Sequence, residues 1–157
     1  MPPIGMRLLK SFKPWSVGES GATMNRMALG ATAIIILRQV IATLHGTAHE
    51  QLGVGLGPWQ NAFVYVVIAA APFVALVLYW TRLARAAALL LAVSMLAGML
   101  FGIYYHFIAI SSDNVRHLPH GERQAFFIAT AILLIPAEIA GTVYGFWSFR
   151  KLRKPAA

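Results

Sequence analysis

Residues 86–110 read AAALLLAVSMLAGMLFGIYYHFIAI, a run with no Asp, Glu, Lys or Arg. A helix needs about 20 predominantly apolar residues to cross the hydrocarbon core of a bilayer. Strands seldom exceed about 10 residues, and Ala, Leu and Met are good helix formers. The stretch therefore predicts a transmembrane helix. Working outward, residues 27–44 (interrupted by Arg38 and Gln39), 62–80 and 125–149 have the same character. Four helices are expected, over about 27–49, 60–81, 85–110 and 124–149. The fold class expected is an all-α integral membrane protein, a four-transmembrane-helix bundle running up-down-up-down.

The flanks differ from this domain. Residues 1–26 form a basic N-terminal arm broken by Pro2, Pro3 and Pro14, with a short interfacial segment around 6–15, and residues 150–157 form a basic tail. Nothing before residue 27 has the apolar core of a signal peptide. Met24-Asn-Arg-Met27 offers a second translation start, so this reading does not require residues 1–23.

Composition agrees with a bilayer as solvent. The chain has 157 residues, of which 59% are hydrophobic and only 11% charged, against about 25% charged in a soluble domain. The net charge of +8 raises the question of nucleic acid, but the basic residues are segregated by segment and no nucleic-acid motif accompanies them. No nucleic-acid partner is expected. There is no cysteine, which excludes disulfides, thiolate metal sites, iron–sulfur clusters and cysteine nucleophiles.

Orientation follows from the same charges. Ten of the thirteen Lys and Arg lie in the arm, in the link carrying Arg82 and Arg85, and in the tail, which share one side; Arg116 and Arg123 lie on the other. The positive-inside rule places both termini in the cytoplasm, and a bacterial inner membrane is the expected location. The lipid bilayer is the expected surrounding, with other membrane subunits or further copies of the chain as candidate partners.

All five histidines then fall at or near the outer side. His45 and His49 end the first helix, His106 is about one turn from the end of the third, and His117 and His120 are in the loop that follows, with Glu50, Asp113 and Glu122 at the same level. Seven residues from Arg38 to His45 turn through about 700°, and four more to His49 fall about 40° past one turn, so the three share a stripe. Histidines at i and i+4 can chelate one metal ion as neutral imidazoles. The order His-x-x-x-His-Glu is not the His-Glu-x-x-His of metalloproteases. Gly46 and the glycines after residue 52 argue for fraying near His49. Met95, Met99 and Gly102 line up with His106, and thioether donors would suit Cu(I). The candidate metal ligands are His45, His49, His106, His117, His120, Glu50 and Asp113, and the candidate metals Cu, Zn or Fe.

Two charges lie deep in the apolar runs. Arg38 and Glu138 each sit about 12 residues from the cytoplasmic end of their helices, or roughly 18 Å. Opposite charges at matched depth in hydrocarbon should pair, giving an ion pair between the first and fourth helices and a polar, candidate cofactor-binding pocket beneath the histidines. Pro72 and Pro136 should kink their helices. Gly98-x-x-x-Gly102 and Gly141-x-x-x-Gly145 allow close helix approach. Residues 53–58, Gly-Val-Gly-Leu-Gly-Pro, lack the spacing of a nucleotide loop and read as a turn.

Three readings of function stay open. The first is a metal site at the outer face, redox-related in its chemistry, or in its place haem b held by His45 or His49 with His106 for electron transfer near a quinone pocket. The second is an accessory or assembly subunit of a larger membrane complex. The third is a small transporter using Arg38 and Glu138. No residue is assigned a catalytic role.

Overall fold

The structure, a computed structural model, describes residues 17–152, with side chains from residue 21. The candidate interfacial segment at 6–15 and the end of the basic tail lie outside the described residues. Four helices are long and apolar enough to cross a membrane, and there is no strand among the described residues. They are α1 (Val17–Leu52), α2 (Pro58–Tyr79), α3 (Ala84–Ile108) and α4 (Glu122–Lys151). Two carry π-helical turns, Val64–Ala70 in α2 and Tyr104–Ile108 in α3. α1 begins ten residues before the apolar run at residue 27, inside the stretch read as an arm.

The fraying expected near His49 does not occur. α1 continues to Leu52 and is closed by Gly53 at φ 64°. Gly53 N–H donates to the Glu50 carbonyl and Val54 N–H to the His49 carbonyl, both at 3.1 Å. This is a Schellman closure, which needs a left-handed residue that glycine supplies without strain. Residues 53–57 form the expected turn. Pro58 then opens α2, where a missing N–H costs nothing, and Gln60 Oε1 accepts from Gly57 N–H at 2.6 Å.

Contacts fix the arrangement. Met27, Arg38 and His45 of α1 meet Tyr144, Glu138 and Thr130 of α4 in that order, so these helices run antiparallel. α3 packs along the other side of α4, and α2 packs on α3, with Phe63 stacked on Phe101 at 4.9 Å. The ring is closed weakly. α1 packs against the Ala71–Tyr79 half of α2, and its contact with the Pro58–Ala70 half is slight. A lateral gap is left between them.

Small residues make the tight contacts. A Cβ at Gly145 would lie 2.7 Å from Ala92 N and 2.8 Å from the Ala88 carbonyl oxygen, so α3 and α4 approach backbone to backbone. Ala28, Ala31, Ala75, Ala84, Ala87 and Ala88 fill the core beside Ile35, Leu91 and Met95. Packing by small side chains is the usual means of helix association in an apolar solvent. Gly141 also packs within the bundle, against Met95. Gly98 and Gly102 differ: a Cβ at Gly98 would lie 2.9 Å from Glu138 Oε1, so this glycine makes room for the α4 carboxylate, whereas Gly102 faces nothing closer than its own helix's His106, 3.8 Å away.

Polarity is inverted relative to a water-soluble fold. Arg38 is 1% exposed while its neighbour Leu37 is 62% exposed, and Val77 and Val143 also point outward.

Candidate metal centre

The triad is assembled from three local devices. The Schellman closure keeps His49 helical, four residues from His45 on one face of α1. The π turn at Tyr104–Ile108 carries His106; such bulges reset the direction of the side chains that follow. The loop after α3 then folds back, with Val115 N–H bonded to the His106 carbonyl at 3.0 Å and Asn114 Nδ2 to the Ala109 carbonyl at 2.6 Å. That return buries Asp113 beside His106. Leu118, Ala48 and Phe127 cap the cluster with an apolar layer.

The result is a buried group of His45, His49 and His106 whose ligand atoms all lie within 4.8 Å of one another. Ring centroids are 4.8 Å apart for His45–His49 and for His45–His106, and 5.6 Å for His49–His106. The Phe127 ring touches all three, at 4.7, 4.8 and 5.2 Å.

Hydrogen bonding restricts where the ring protons sit. His45 Nδ1 is 3.0 Å from Thr130 Oγ1, whose own proton can go to the Phe126 or Phe127 carbonyl at 2.9 and 3.0 Å. In one tautomer Thr130 accepts from His45 Nδ1–H; in the other it donates to Nδ1, and His45 Nε2–H bonds His106 Nε2. His106 Nδ1 faces the Asp113 carbonyl at 3.2 Å, with Asp113 Oδ2 at 3.4 Å; neither can donate as a carbonyl or carboxylate. His49 Nδ1 faces the Val54 carbonyl at 3.4 Å. In the first tautomer, with every Nδ1 holding its proton, every Nε2 is left with a lone pair. His45 Nε2 and His106 Nε2 nevertheless face each other at 3.1 Å. Two lone pairs cannot bond each other, and only a proton or a cation between them makes the contact favourable. Two nitrogens each about 2.0–2.1 Å from one metal ion would be separated by a similar distance. Outer acceptors that pin Nδ1–H are the usual second layer of a histidine metal site.

The other candidate ligands fall elsewhere. His117 and His120 are exposed, and His120 lines a separate surface depression with Gln51 and Pro119. Neither belongs to the triad, because the loop path that buries Asp113 and Leu118 turns them outward. Glu50 is exposed and outside the triad, at the rim of the cavity below it. Asp113 touches His106 through Nδ1, the side away from the shared centre. Met95 packs on Gly141, and Met99 lines the cavity.

The Arg38–Glu138 ion pair expected from matched depth is present. Arg38 Nη2 and Nε reach Glu138 Oε1 at 2.6 and 2.9 Å. Nη1 donates to the Ile68 carbonyl at 2.8 Å and to Gln39 Oε1 at 3.1 Å. Ile68 lies four residues before Pro72, whose ring nitrogen has no proton to return to it. The proline thus frees the acceptor that the arginine uses. Glu138 Oε2 has no partner. A cavity of about 530 Å³ joins this pair to the triad.

Sequence reading missed Thr130 and Phe127. Both lie on the Glu138 stripe of α4, at spacings of eight and eleven, and following that stripe toward the histidine level would have found them. Comparison with protein-family models, curated proteins and solved structures finds no match.

Proposed function

We propose that the protein crosses a membrane four times and holds one copper ion, as Cu(I), on His45, His49 and His106, near the face opposite its termini. The observation that carries this reading is the convergence of three imidazoles whose ligand atoms lie within 4.8 Å of one another, with His45 Nε2 and His106 Nε2 3.1 Å apart. Imidazole suits copper, zinc and iron alike, so charge decides among them. The ligands are neutral, and the nearest anion is Asp113. One carboxylate balances a monovalent ion, whereas a divalent ion would leave net charge in a low-dielectric site, where burying charge is costly. Haem fits poorly. Its two axial imidazoles must stand on opposite faces of a macrocycle, and rings 4.8 Å apart leave no room for one. The inverted polarity of the bundle and the four apolar spans support insertion, and the Lys and Arg asymmetry supports the orientation.

Metal analysis of detergent-purified protein, loaded with Cu(I) under reducing conditions, tests the reading. One copper per chain is expected, with X-ray absorption showing nitrogen ligands near about 2.0 Å. His45→Ala and His106→Ala should each reduce copper to background. Failure of the wild-type protein to retain copper would sink the proposal, and a Soret band would move the assignment to haem.

A further inference from the structure

The cavity of about 530 Å³ lies within the size range of small-molecule sites. We infer that it binds a lipid-soluble hydroquinone, with its ring standing between the Arg38–Glu138 pair and the histidine triad. Four observations support this. The lateral gap between α1 and the Pro58–Ala70 half of α2 is lined on both sides by residues of the cavity, and we take it as the cavity's mouth. In a membrane that opening faces acyl chains, so the ligand arrives as a lipid with a tail left in the gap. At the inner end, Glu138 Oε2 is a buried carboxylate oxygen with no partner. Arg38 spends its Glu138 bonds on Oε1 alone. The vacant acceptor calls for a hydroxyl donor.

The third observation is length. Arg38 and His45 are seven residues apart, about 10.5 Å along the helix axis. Two para hydroxyl oxygens roughly 5.5 Å apart, with a hydrogen bond of about 2.7 Å to Glu138 and a metal contact of about 2 Å at the outer end, span about 10 Å. The fourth is shape. Gly102 leaves the α3 wall of the cavity without a side chain at its level, and a flat ring needs such a wall. The inner end stands without any metal. The outer end rests on the copper reading, because a three-coordinate ion has a position left to face the ring.

The test uses full-length protein in lipid nanodiscs, anaerobic, with and without Cu(I). The probes are a 1,4-hydroquinone bearing a decyl tail, its bis-methyl ether and 1-dodecanol. The hydroquinone should bind one per chain, and the ether, which has no proton to donate, about tenfold or more weaker. Dodecanol should fail to compete. Gly102→Leu, whose side chain fills the cavity without a clash at Cβ, should abolish hydroquinone binding and keep copper. Glu138→Gln should weaken the hydroquinone and spare the ether. If that variant does not fold, Arg38→Met with Glu138→Met removes both charges together and should give the same loss. Equal binding of hydroquinone and ether, or competition by dodecanol, overturns the inference. So does copper retained with no hydroquinone bound. Hydroquinone bound by a protein that never takes up copper supports the cavity and overturns the metal reading alone.

Discussion

Thr130 touches no metal position, yet it decides the chemistry of His45. With its hydroxyl proton on a helix carbonyl, its oxygen accepts from His45 Nδ1–H and leaves Nε2 free for a metal. Thr130→Val keeps the shape and removes the acceptor. Competition against a Cu(I) chelator should show affinity lower by about 10–100-fold, the usual effect of losing an outer-layer partner, with the fold intact and Thr130→Ser restoring it. Glu138→Gln should behave differently. It leaves Arg38 without its charge partner, and breaking a buried pair costs about 3–5 kcal/mol; a fall in thermal stability should be seen whether or not metal is present. At this scale the sequence was informative wherever helical periodicity turned spacing into a face and depth into a level. That is how His45, His49, His106 and the Arg38–Glu138 pair could be read. His117, His120 and Glu50 shared the level but not the direction, which a loop path and a helix rim decide. Thr130 carried no signal of its own, since a threonine bonding back to its own helix looks the same in any apolar span.

Helices behave as units here because glycine sets their separation and their ends. A side chain at Gly145 would enter the backbone of α3. Gly145→Val should cost about 1–3 kcal/mol by overpacking, measured by thermal unfolding in detergent, while Gly46→Ala, with open space at its Cβ, should be neutral or stabilising. Gly53→Ala puts a Cβ on a left-handed residue, a cost of about 1–2 kcal/mol. It should loosen the end of α1 and with it His49, read as weaker copper binding. The number of long apolar helices was legible from apolar run lengths alone, while the start of α1 inside the basic stretch was not. The π turns were not. They arise from how Pro72 and the loop after α3 are accommodated by neighbouring helices, and no local pattern announces that. The glycine pair at 98 and 102 looked like one packing motif; Gly98 instead makes room for the Glu138 carboxylate and Gly102 bares a cavity wall, a distinction that lies with the facing helix.

The bundle has four helices in a ring that parts between α1 and the Pro58–Ala70 half of α2. Ring order was only partly readable: matched depth joined α1 to α4, and nothing in the sequence placed α2. Because the chain has no cysteine, single cysteines at His117 and at Lys154 can report sidedness directly. An impermeant thiol reagent applied outside whole cells should label the first and not the second. The opposite pattern, or labelling of both, would overturn the orientation. The Arg38 bond to the Ile68 carbonyl also bears on how the chain is made. Synthesis delivers Arg38 first, Ile68 thirty residues later and Glu138 a hundred residues later. On the proposed membrane reading, the guanidinium enters hydrocarbon while the ribosome is still translating α3 and α4, with its final partner unmade. The carbonyl that Pro72 exposes supplies an interim acceptor within a two-helix hairpin. Pro72→Ala returns that carbonyl to the helix ladder. Its expected defect is a lower yield of inserted protein, scored by protease protection during translation into membranes, with finished molecules close to wild-type stability. Proline in α2 thus acts on the order of events, holding a charge for a helix that does not yet exist.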